Sequence, residues 1–429
     1  MRTVLLLGAG GREDTIAWAL SKSDSVSRIG VLPGNPAMKR HAKVECVSGS
    51  LKDPNQVVQA AQAFNADLVI IGPEQPIVDG CSDALRSAGF LVAAPSKAAG
   101  QLEESKIFSK HFMREFGIPT ADFAAYDGHS AAQEGLKAWD FTDGIVVKSD
   151  ALAGGKGVVL CDTQEEASQV LFDFMQNPNV SVKTQRILFE RKLYGQEVSA
   201  FAALDGQTVK FIGTACDHKR VFDHDKGPNT GGMGTFSPAN WVSPLALQKI
   251  KAIFQKVADG MVERGHPYQG ILFAGLMVDG DEPSVIEFNI RFGDPETQAL
   301  VPRLKTDMYE LFYATASGGL ADLPPIEAAP QSAVHVVLAS GGYPSIDGTP
   351  ISKGHVISCP ERLEPDTSIF YAGIKENSDG DYVNSGGRVL GVTALAESRS
   401  SARQKAYAMV EKIHFDGMHY RTDIGLRHA

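Results

Sequence analysis

The run V-I-E-F-N-I-R-F-G-D-P-E at residues 285–296 alternates apolar and polar side chains with a period of two. This is the period of a β-strand with one buried face. The alternation predicts an apolar face and a polar face, made respectively by Ile286, Phe288, Ile290 and by Glu287, Asn289, Arg291. Neighbours on one face lie about 7 Å apart, carboxylate and amide oxygens suit Mg²⁺, and an arginine suits an anion beside the metal. The polar face therefore indicates a metal and anion site, and a solvated strand face with an incidental salt bridge is the alternative.

Length and charge narrow the class of protein. A chain of 429 residues is long enough for several domains, and its contents of 43% hydrophobic and 21% charged residues are ordinary for a globular protein. The net charge of −10 argues against a general affinity for nucleic acid. No apolar stretch approaches the length of a membrane span, and the short run at residues 4–7 stops at a glycine. We expect a soluble cytoplasmic protein with neither nucleic acid nor membrane as a partner.

The five cysteines are scattered along the chain and odd in number. None forms a C-x-x-C pair, so the sequence predicts neither a disulfide framework nor a zinc site. Reduced thiols in a cytoplasmic compartment are the better interpretation.

The first hundred residues repeat a strand, loop and helix pattern. The strand at residues 3–7 runs into Gly8-Ala9-Gly10-Gly11-Arg12-Glu13, a loop that lets a phosphate approach backbone N–H groups at a helix N-terminus. A dinucleotide fingerprint needs a third glycine where Glu13 stands, and the acidic residue expected after the next strand is absent. A nicotinamide-dependent oxidoreductase is therefore the less favoured alternative.

Two further strands end in turn-forming residues. Pro33-Gly34-Asn35 follows one strand, and Gly72-Pro73-Glu74 follows another. In open parallel sheets, ligands bind beyond the carboxyl ends of the strands. The two segments and the first glycine loop therefore suggest a substrate site, although turn chemistry alone accounts for each of them.

A second glycine loop follows a strand that carries Lys148. The loop includes Gly154, Gly155, Lys156 and Gly157, and a new strand begins at Val158. Glycines allow the backbone to close over phosphate, and lysines neutralise its charge. The loop lacks the Walker A spacing and is followed by a strand, so it is not a P-loop. A flexible hairpin is the alternative.

Other polar groups are less distinctive. Lys106 lies on a helix predicted over residues 101–117, Glu190 ends a strand, and Glu197 opens the next strand, where it could accept hydrogen bonds from a ribose. Residues 217–234 are predicted to form a long irregular, glycine-rich active-site loop. Beyond Leu323-Pro324-Pro325, the tail has the pattern of a separate α/β module.

In this order, these motifs resemble the ATP-grasp ligases and, more narrowly, the phosphoribosylamine–glycine ligase family of purine biosynthesis. The resemblance runs nearly end to end, through G-A-G-G-R-E, P-G-N, G-P-E-Q-P, P-S-K-A-A-G-Q-L-E-E-S-K, D-H-K-R, G-P-N-T-G-G-M-G, E-F-N-I-R-F-G-D-P-E, G-G-R-V-L-G-V-T-A and Y-R-T-D-I-G. The glycine loop at 227–234 and the run at 287–296 are highly specific, whereas G-x-G-G alone is weak.

The resemblance implies an α/β and α+β multidomain fold with an N-terminal open parallel α/β sheet, a two-lobed ATP-grasp core and a small C-terminal α/β module. The implied domains are an N-terminal substrate domain (1–100), a connecting helix (101–121), a small ATP-grasp lid (122–188), a large ATP-grasp subdomain (189–325) and a C-terminal domain (326–429). The implied reaction joins glycine to 5-phosphoribosylamine with ATP and Mg²⁺ (or Mn²⁺), through a glycyl phosphate. Such chemistry needs positioning and charge neutralisation rather than a protein nucleophile. The implied enzyme is a monomer or weak homo-oligomer.

The resemblance also implies a role for each site residue. Arg291 and Lys148 would be catalytic, and Glu287 and Asn289 would bind the metal. ATP would be held by Lys106, Lys148, Gly154, Gly155, Lys156, Gly157, Glu190 and Glu197. Glycine and the amine would be received by Gly10, Gly11, Arg12, Pro33, Gly34, Asn35, Glu74, Asp217, Lys219 and Gly293.

Some positions depart from the usual family pattern. Asp14 stands where histidine is usual, Pro36 follows P-G-N where alanine is usual, and Tyr371 replaces a common histidine. These residues fall in regions expected to handle the amine, so a related ligase with another amine acceptor is an alternative. A catalytically silent nucleotide-binding regulator is a further alternative, against which the intact lysines and the polar strand face argue.

Overall fold

The computed structural model describes residues 1–152, 157–178, 182–345 and 348–426. The predicted ATP-binding residues Gly154, Gly155 and Lys156 lie outside the described residues. Within the described ranges, no helix combines the length and apolarity that a membrane crossing requires. The five cysteines all lie within these ranges, and none of them is in a disulfide.

The N-terminal region is an open parallel sheet with strand order β3-β2-β1-β4-β5. Its central strands are apolar on both faces because helices cover both sides, and Leu5, Leu7 and Val69 are fully buried. Its strands and helices are β1 Arg2–Gly8, α1 Gly11–Ser21, β2 Val26–Pro33, a 3₁₀ turn Pro36–Arg40, β3 Val44–Cys46, α2 Pro54–Phe64, β4 Leu68–Ile71, α3 Glu74–Val78, α4 Cys81–Ser87 and β5 Leu91–Ala93.

Two helices lead from this sheet into the next unit. The single helix predicted over 101–117 is wrong, because the structure has α5 Lys97–Glu104 and α6 Lys106–Glu115. Ser105 between them is extended, and its hydroxyl accepts a hydrogen bond from the Phe108 N–H at 3.0 Å. The serine therefore caps a new helix instead of continuing the first.

A small antiparallel sheet with order β6-β9-β7-β8 follows. It has a hydrophobic core of its own, which includes Leu136, Val147 and Phe189. Its elements are β6 Phe123–Asp127, α7 His129–Leu136, β7 Ile145–Ser149, β8 Val158–Cys161, α8 Gln164–Met175 and β9 Arg186–Arg191. We call this unit the lid, because its core is separate from the core of the rest of the molecule.

The rest of the chain builds an eight-stranded sheet with order β16-β15-β10-β11-β14-β17-β21-β18. Its elements in chain order, with two short hairpins, are β10 Gln196–Asp205, β11 Val209–Asp217, β12 Arg220–Phe222, a 3₁₀ turn Asp223–Asp225, β13 Lys226–Asn229, β14 Gly234–Ser237, α9 Pro244–Glu263, β15 Gln269–Asp279, β16 Glu282–Asn289, α10 Glu296–Leu300, a 3₁₀ turn Val301–Arg303, α11 Met308–Ser317, β17 Ser332–Ala339, β18 Thr367–Tyr371, β19 Ile374–Glu376, β20 Tyr382–Asn384, β21 Arg388–Ala396 and α12 Arg399–Val410. We call the β10–β16 part the large lobe.

Two features of this sheet differ from the sequence-based expectation. The long irregular loop predicted over 217–234 contains the β12–β13 hairpin, with Arg220 opposite Asn229. The tail, predicted as a separate module, continues the large-lobe sheet because β14 pairs with β17, with Gly234 opposite Val336. One hydrophobic core accordingly extends from the N-terminal sheet through the large lobe into the tail.

The strand β16 contains a β-bulge. Glu287 pairs with Gly275 and Val285 pairs with Leu276, so Ile286 has no cross-strand partner. The prediction that Ile286 belongs to the buried face is therefore wrong: Val285, Phe288 and Ile290 are buried. The extra residue shifts the alternation by one position and leaves Glu287 and Asn289 on the polar face.

Candidate active site

The first glycine loop and the segment after β16 meet in the fold. The Arg12 guanidinium donates to the Phe292 carbonyl at 2.9 Å, and the Arg12 N–H donates to Asp294 Oδ2 at 3.2 Å. Gly11 packs so closely that a Cβ there would lie 2.7 Å from Gln298 Nε2. Residues separated by about 280 positions in sequence therefore form one wall of a common cleft.

The glycine loop is filled by its own glutamate. Glu13 Oε2 accepts from the Gly10 N–H at 2.7 Å, and Glu13 Oε1 accepts from Arg12 Nε at 2.6 Å. A Cβ at Gly8 or Gly72 would lie within 2.4 Å or 2.2 Å of this side chain, so both glycines make room for it. The carboxylate takes an N–H that a dinucleotide phosphate would need, which argues against the nicotinamide alternative.

Glu287 and Asn289 present hard ligands without protein partners. Among the described residues, the Glu287 carboxylate forms no hydrogen bond and no ion pair within 4.0 Å. The Asn289 side-chain oxygen, which is the atom that could bind a metal, forms no hydrogen bond there either, and the amide nitrogen beside it is buried without a partner. Burial raises the pKa of Glu287, but Lys219, Lys148, Lys106 and Arg291 together lower it below its usual range. The carboxylate is thus ionised, which suits a divalent cation.

The described residues contain no cluster of three or more His, Cys, Asp or Glu side chains with metal-binding geometry. A cation at Glu287 and Asn289 would therefore take its remaining ligands from water and phosphate oxygens. Mg²⁺ is commonly held in this way, by one or two protein ligands plus substrate phosphates. The donor set fits the cation that the sequence predicts.

The two predicted phosphate-binding lysines approach the cleft from different elements. Lys148, on β7, forms an ion pair with Glu190 on β9, with 2.8 Å between Nζ and Oε1. Lys106, at the start of α6, donates to the Ala151 carbonyl at 2.9 Å. The carbonyl of Gly157 accepts from the Ser149 N–H at 2.8 Å, which joins the residue before β8 to the end of β7. Burial lowers the pKa of Lys106.

Glu197, the predicted ribose ligand, opens β10 and forms an ion pair with Lys219 at 3.2 Å. This pair raises the pKa of Lys219 above its ordinary value, against the effect of burial. Lys219 thus remains cationic between Glu197 and the Glu287 carboxylate.

Arg291 is held by two carboxylates. Its guanidinium binds Glu103 at 2.8 Å and Glu74 at 3.2 Å, and Glu103 Oε2 accepts from the Ile290 N–H at 2.7 Å. Glu74 was predicted as an amine ligand, whereas Glu103 was missed. The signal for Glu103 is in the sequence, because L-E-E-S-K places two acidic residues just before Lys106.

A second polar group lies where β11, the 227–234 loop and β21 meet. Burial and the nearby Glu296 carboxylate raise the pKa of Asp217 well above its usual range. Glu296 Oε1 accepts from the Ser199 hydroxyl at 2.9 Å, and a Cβ at Gly293 would lie 2.3 Å from Glu296 Oε2. The Gly293 carbonyl in turn accepts from the Thr297 hydroxyl. Asp217 and Gly293 are thereby brought together around Glu296, which sequence reasoning missed.

Arg388 was also missed, although it lies in the quoted G-G-R-V-L motif. Its guanidinium donates to the carbonyls of Gly231 and Asp294, at 2.5 and 2.8 Å, and pairs with the Asp294 carboxylate at 3.3 Å. Burial raises the pKa of Asp294, but Arg388 and Arg12 together lower it to about 2. Arg388 thereby ties the tail to the glycine-rich loop and to the segment after β16.

The predicted amine-binding residues lie at the junction of the N-terminal sheet and the tail. Pro33 is exposed at the end of β2, Gly34 has φ +69° and donates to the Gly8 carbonyl at 3.0 Å, and Asn35 is buried. The Asn35 amide donates to the carbonyls of Ala9 and Tyr371 at 3.0 and 3.2 Å. The positive φ at the second position is the conformation for which glycine is suited.

Two of the departures from the family pattern contact each other. Asp14 is fully buried and binds Arg40, His41 and the Tyr371 N–H at 2.7, 2.8 and 2.7 Å. The Arg40 guanidinium also lies over the Tyr371 ring, 4.7 Å from its centroid. Tyr382 Oη reaches the Pro36 carbonyl at 3.5 Å, which places the third departure beside the same contacts. Asp14 therefore joins the end of the 3₁₀ turn that follows P-G-N to β18.

These elements define a class of protein. A small antiparallel lid and a large antiparallel lobe meet at a cleft that contains two phosphate-type lysines, a pair of metal-type ligands and a clamped arginine. This is the arrangement of an ATP-grasp ligase, a class that uses ATP with a divalent metal ion.

Comparisons with known proteins identify the family. Models of the phosphoribosylglycinamide synthetase N domain, ATP-grasp (A) domain and C domain match residues 2–103, 104–297 and 333–427. The chain belongs to the phosphoribosylglycinamide synthetase family.

Individual relatives cover the whole chain. The phosphoribosylamine–glycine ligase of Rhodopirellula baltica is 41% identical over 428 residues, which cover 98% of this chain and 96% of that protein. The human trifunctional purine biosynthetic protein adenosine-3 is 40% identical over 99% of this chain, which spans 42% of that protein. The crystal structure of the Thermotoga maritima phosphoribosylamine–glycine ligase superposes with a TM-score of 0.86 at 32% identity, over 98% of this chain and 99% of that one. The predicted family and fold class are confirmed.

The arginine clamp gives a pH-dependent prediction. Burial raises the pKa of Glu103 to about 7, although Arg291 opposes the shift. The pKa of Glu103 is higher in the folded than in the unfolded protein, so proton binding to Glu103 stabilises the fold. This contribution to the free energy of unfolding is fully present below pH about 4.5 and is lost as the pH rises to about 7. Glu103→Gln mimics the protonated group, so the free energy of unfolding of wild type should fall relative to this variant by on the order of 3 kcal/mol across this window.

Urea unfolding at intervals between pH 4.5 and 8 measures this difference. A difference between wild type and Glu103→Gln that stays constant with pH would contradict the raised pKa. Thermal unfolding of both proteins at the lowest pH is the control, since the two side chains are then equivalent in charge.

Proposed function

We propose that this protein joins glycine to 5-phosphoribosylamine with ATP, giving glycinamide ribonucleotide, ADP and phosphate in purine biosynthesis. The proposal rests on one observation: the unpartnered Glu287 and Asn289 ligands lie among Lys106, Lys148 and Lys219 in a chain that aligns over its full length with ligases of this name. A carboxylate is a poor electrophile, so the glycine carboxylate first attacks the γ-phosphorus of ATP and ADP leaves. The amine then attacks the acyl carbon and phosphate leaves.

We assign the charged and polar residues of the site to binding phosphate, the metal ion and the transferred phosphoryl group. Lys106 and Lys148 hold phosphate oxygens, together with the predicted glycine-loop residues Gly154, Gly155, Lys156 and Gly157. Glu287 and Asn289 would hold a divalent cation, Mg²⁺ or Mn²⁺, whose charge would offset that of the phosphates. Arg291 stabilises the phosphoryl group in transit and the acyl phosphate, and a protein nucleophile is not required.

The remaining residues bind the organic parts of the substrates. The backbone beside Glu190 meets the adenine, and Glu197 accepts from the ribose. Asp217, Lys219 and Gly293 lie at the glycine end of the cleft. The amine is received by the N-terminal loops, through Gly10, Gly11, Arg12, Pro33, Gly34, Asn35 and Glu74.

Three further predictions belong with this proposal. The boundaries 1–100, 101–121, 122–188, 189–325 and 326–429 are supported by the separate lid core, although the tail shares a sheet with the large lobe. Cytoplasmic location follows from the place of the reaction in purine synthesis. We keep the prediction of a monomer or weak homo-oligomer.

Phosphate release from Mg-ATP tests the function and the identity of the amine. We expect release to require both glycine and 5-phosphoribosylamine, with glycinamide ribonucleotide detected by mass spectrometry. Glycine replaced by alanine or by β-alanine is the control for the acid substrate. Faster release with a different amine would favour the related ligase with another acceptor, and release that needs no glycine would overturn the proposal.

A further inference from the structure

Lys110 is a buried lysine to which the proposed reaction assigns no role. Its ammonium lies 3.0 Å from Glu190 Oε2, and the other oxygen of the same carboxylate lies 2.8 Å from the ammonium of Lys148. The exposed fractions of the Lys110, Lys148 and Glu190 side chains are only 2, 6 and 3%. We call these three side chains the lysine–glutamate cluster.

The cluster carries one net positive charge, because one carboxylate is shared by two ammonium groups. Burying an unpaired charge is costly, so each ammonium here needs a nearby carboxylate. The contacts of the two lysines differ. Lys110 also donates to the Thr120 hydroxyl at 2.6 Å, whereas the contact of Lys148 leaves Glu190 Oε1 without a hydrogen bond in the described structure. Lys110 therefore has a second protein partner besides Glu190.

The cluster bridges the lid and the large lobe. Glu190 and Lys148 lie on lid strands, whereas Lys110 lies on α6. The Thr120 hydroxyl, which binds Lys110, donates in turn to the Val285 carbonyl on β16 at 2.6 Å. Lys110 is thus fixed from the strand that carries Glu287, and it reaches into the lid to bind Glu190.

We propose that Lys110 is a positioning residue that takes up part of the Glu190 carboxylate and so keeps the Lys148 ammonium available to the phosphates of bound nucleotide. The inference rests on the proposed function, in which Lys148 holds phosphate. Without Lys110, Glu190 and Lys148 form a neutral one-to-one pair, and phosphate has to compete with the carboxylate for Lys148. Lys106 and Glu287 also face the cluster, but both remain in place in every variant below.

Nucleotide binding to the full-length protein tests this role. Lys110→Met keeps the length of the side chain, leaves no unpaired charge and is expected to raise both the dissociation constant for ADP and the KM for ATP by about tenfold. The KM for glycine should stay at the wild-type value, because Lys110 acts on the phosphate end only. Isothermal titration with ADP and initial rates of phosphate release measure these constants.

The double variant Lys110→Met/Glu190→Gln distinguishes an effect of charge on Lys148 from a structural role of Lys110. It removes the competing carboxylate together with Lys110, so nucleotide affinity should exceed that of Lys110→Met by at least about threefold. Thr120→Val keeps the shape of the side chain and removes the hydroxyl that binds Lys110 without changing any charge, and it should leave the ADP affinity near wild type. Thermal unfolding of all variants shows that each is folded.

Each result decides between two roles. Wild-type ADP affinity in Lys110→Met would overturn the proposal, and so would a double variant as weak as the single one, since Lys110 would then be a structural support only. Absence of nucleotide binding in the unmodified protein would instead overturn the proposed function, and this titration is done first.

Discussion

Replacing Glu287 with glutamine is expected to lower glycine-dependent phosphate release from Mg-ATP by at least about a hundredfold. The carboxylate is the one charged ligand on the polar face of β16, and it faces Lys219, Lys148, Lys106 and Arg291. The amide keeps the shape of the side chain but removes the negative charge that a divalent cation requires.

Two measurements check the assignment of Glu287. Initial rates at several Mg²⁺ concentrations give the loss of turnover, and Mn²⁺ titration followed by electron paramagnetic resonance reports metal binding directly. Glu282→Gln is the matched control, because Glu282 lies on the same strand but is exposed and pairs with Lys249. Undiminished turnover in Glu287→Gln would contradict the metal assignment, and an equal loss in Glu282→Gln would indicate a general defect of the strand.

Replacing Arg291 with lysine should give the second large effect, a fall in kcat of about a hundredfold with a much smaller change in the KM for ATP. A lysine keeps the charge but lacks the planar fork that binds Glu74 and Glu103 while facing the cleft. The group that stabilises the transferring phosphoryl would therefore be misplaced, whereas the lysines that hold ATP remain.

Single-turnover rates and steady-state kinetics distinguish these effects. Arg28→Lys, which changes an exposed pair with Glu45 in the N-terminal sheet, is the control for an arginine replaced away from the cleft. A variant with unchanged kcat and a raised KM for ATP would show that Arg291 binds ground-state nucleotide instead of the transition state.

Much of the site follows from local sequence. The period of two after Val285 predicts the polar face, and the glycine loops with their lysines predict phosphate chemistry. These features are local because alternation and turn preferences depend on neighbouring residues. The same reasoning misplaced Ile286, since a bulge depends on the register against β15 and leaves no mark in the alternation.

The residues that sequence reasoning missed all act over long distances in the chain. Glu103 binds Arg291 from 188 positions away, and Arg388 binds the Gly231 carbonyl across 157 positions. Lys110 was missed as well, because its burial depends on packing between α6 and β9. No spacing rule predicts such contacts, which require the two elements to be brought together first.

The sequence by itself determined the class of chemistry, through the order of its glycine loops, lysines and the polar strand face of Glu287 and Asn289. Only the tertiary structure decided which charges neutralise one another. Glu190, predicted beside adenine, is shared by Lys110 and Lys148, and Asp14 joins the end of the 3₁₀ turn after P-G-N to β18. The physical reason is that ion pairing depends on separation in space and on burial, and for these groups neither is fixed until the lid, the large lobe and the tail have packed together.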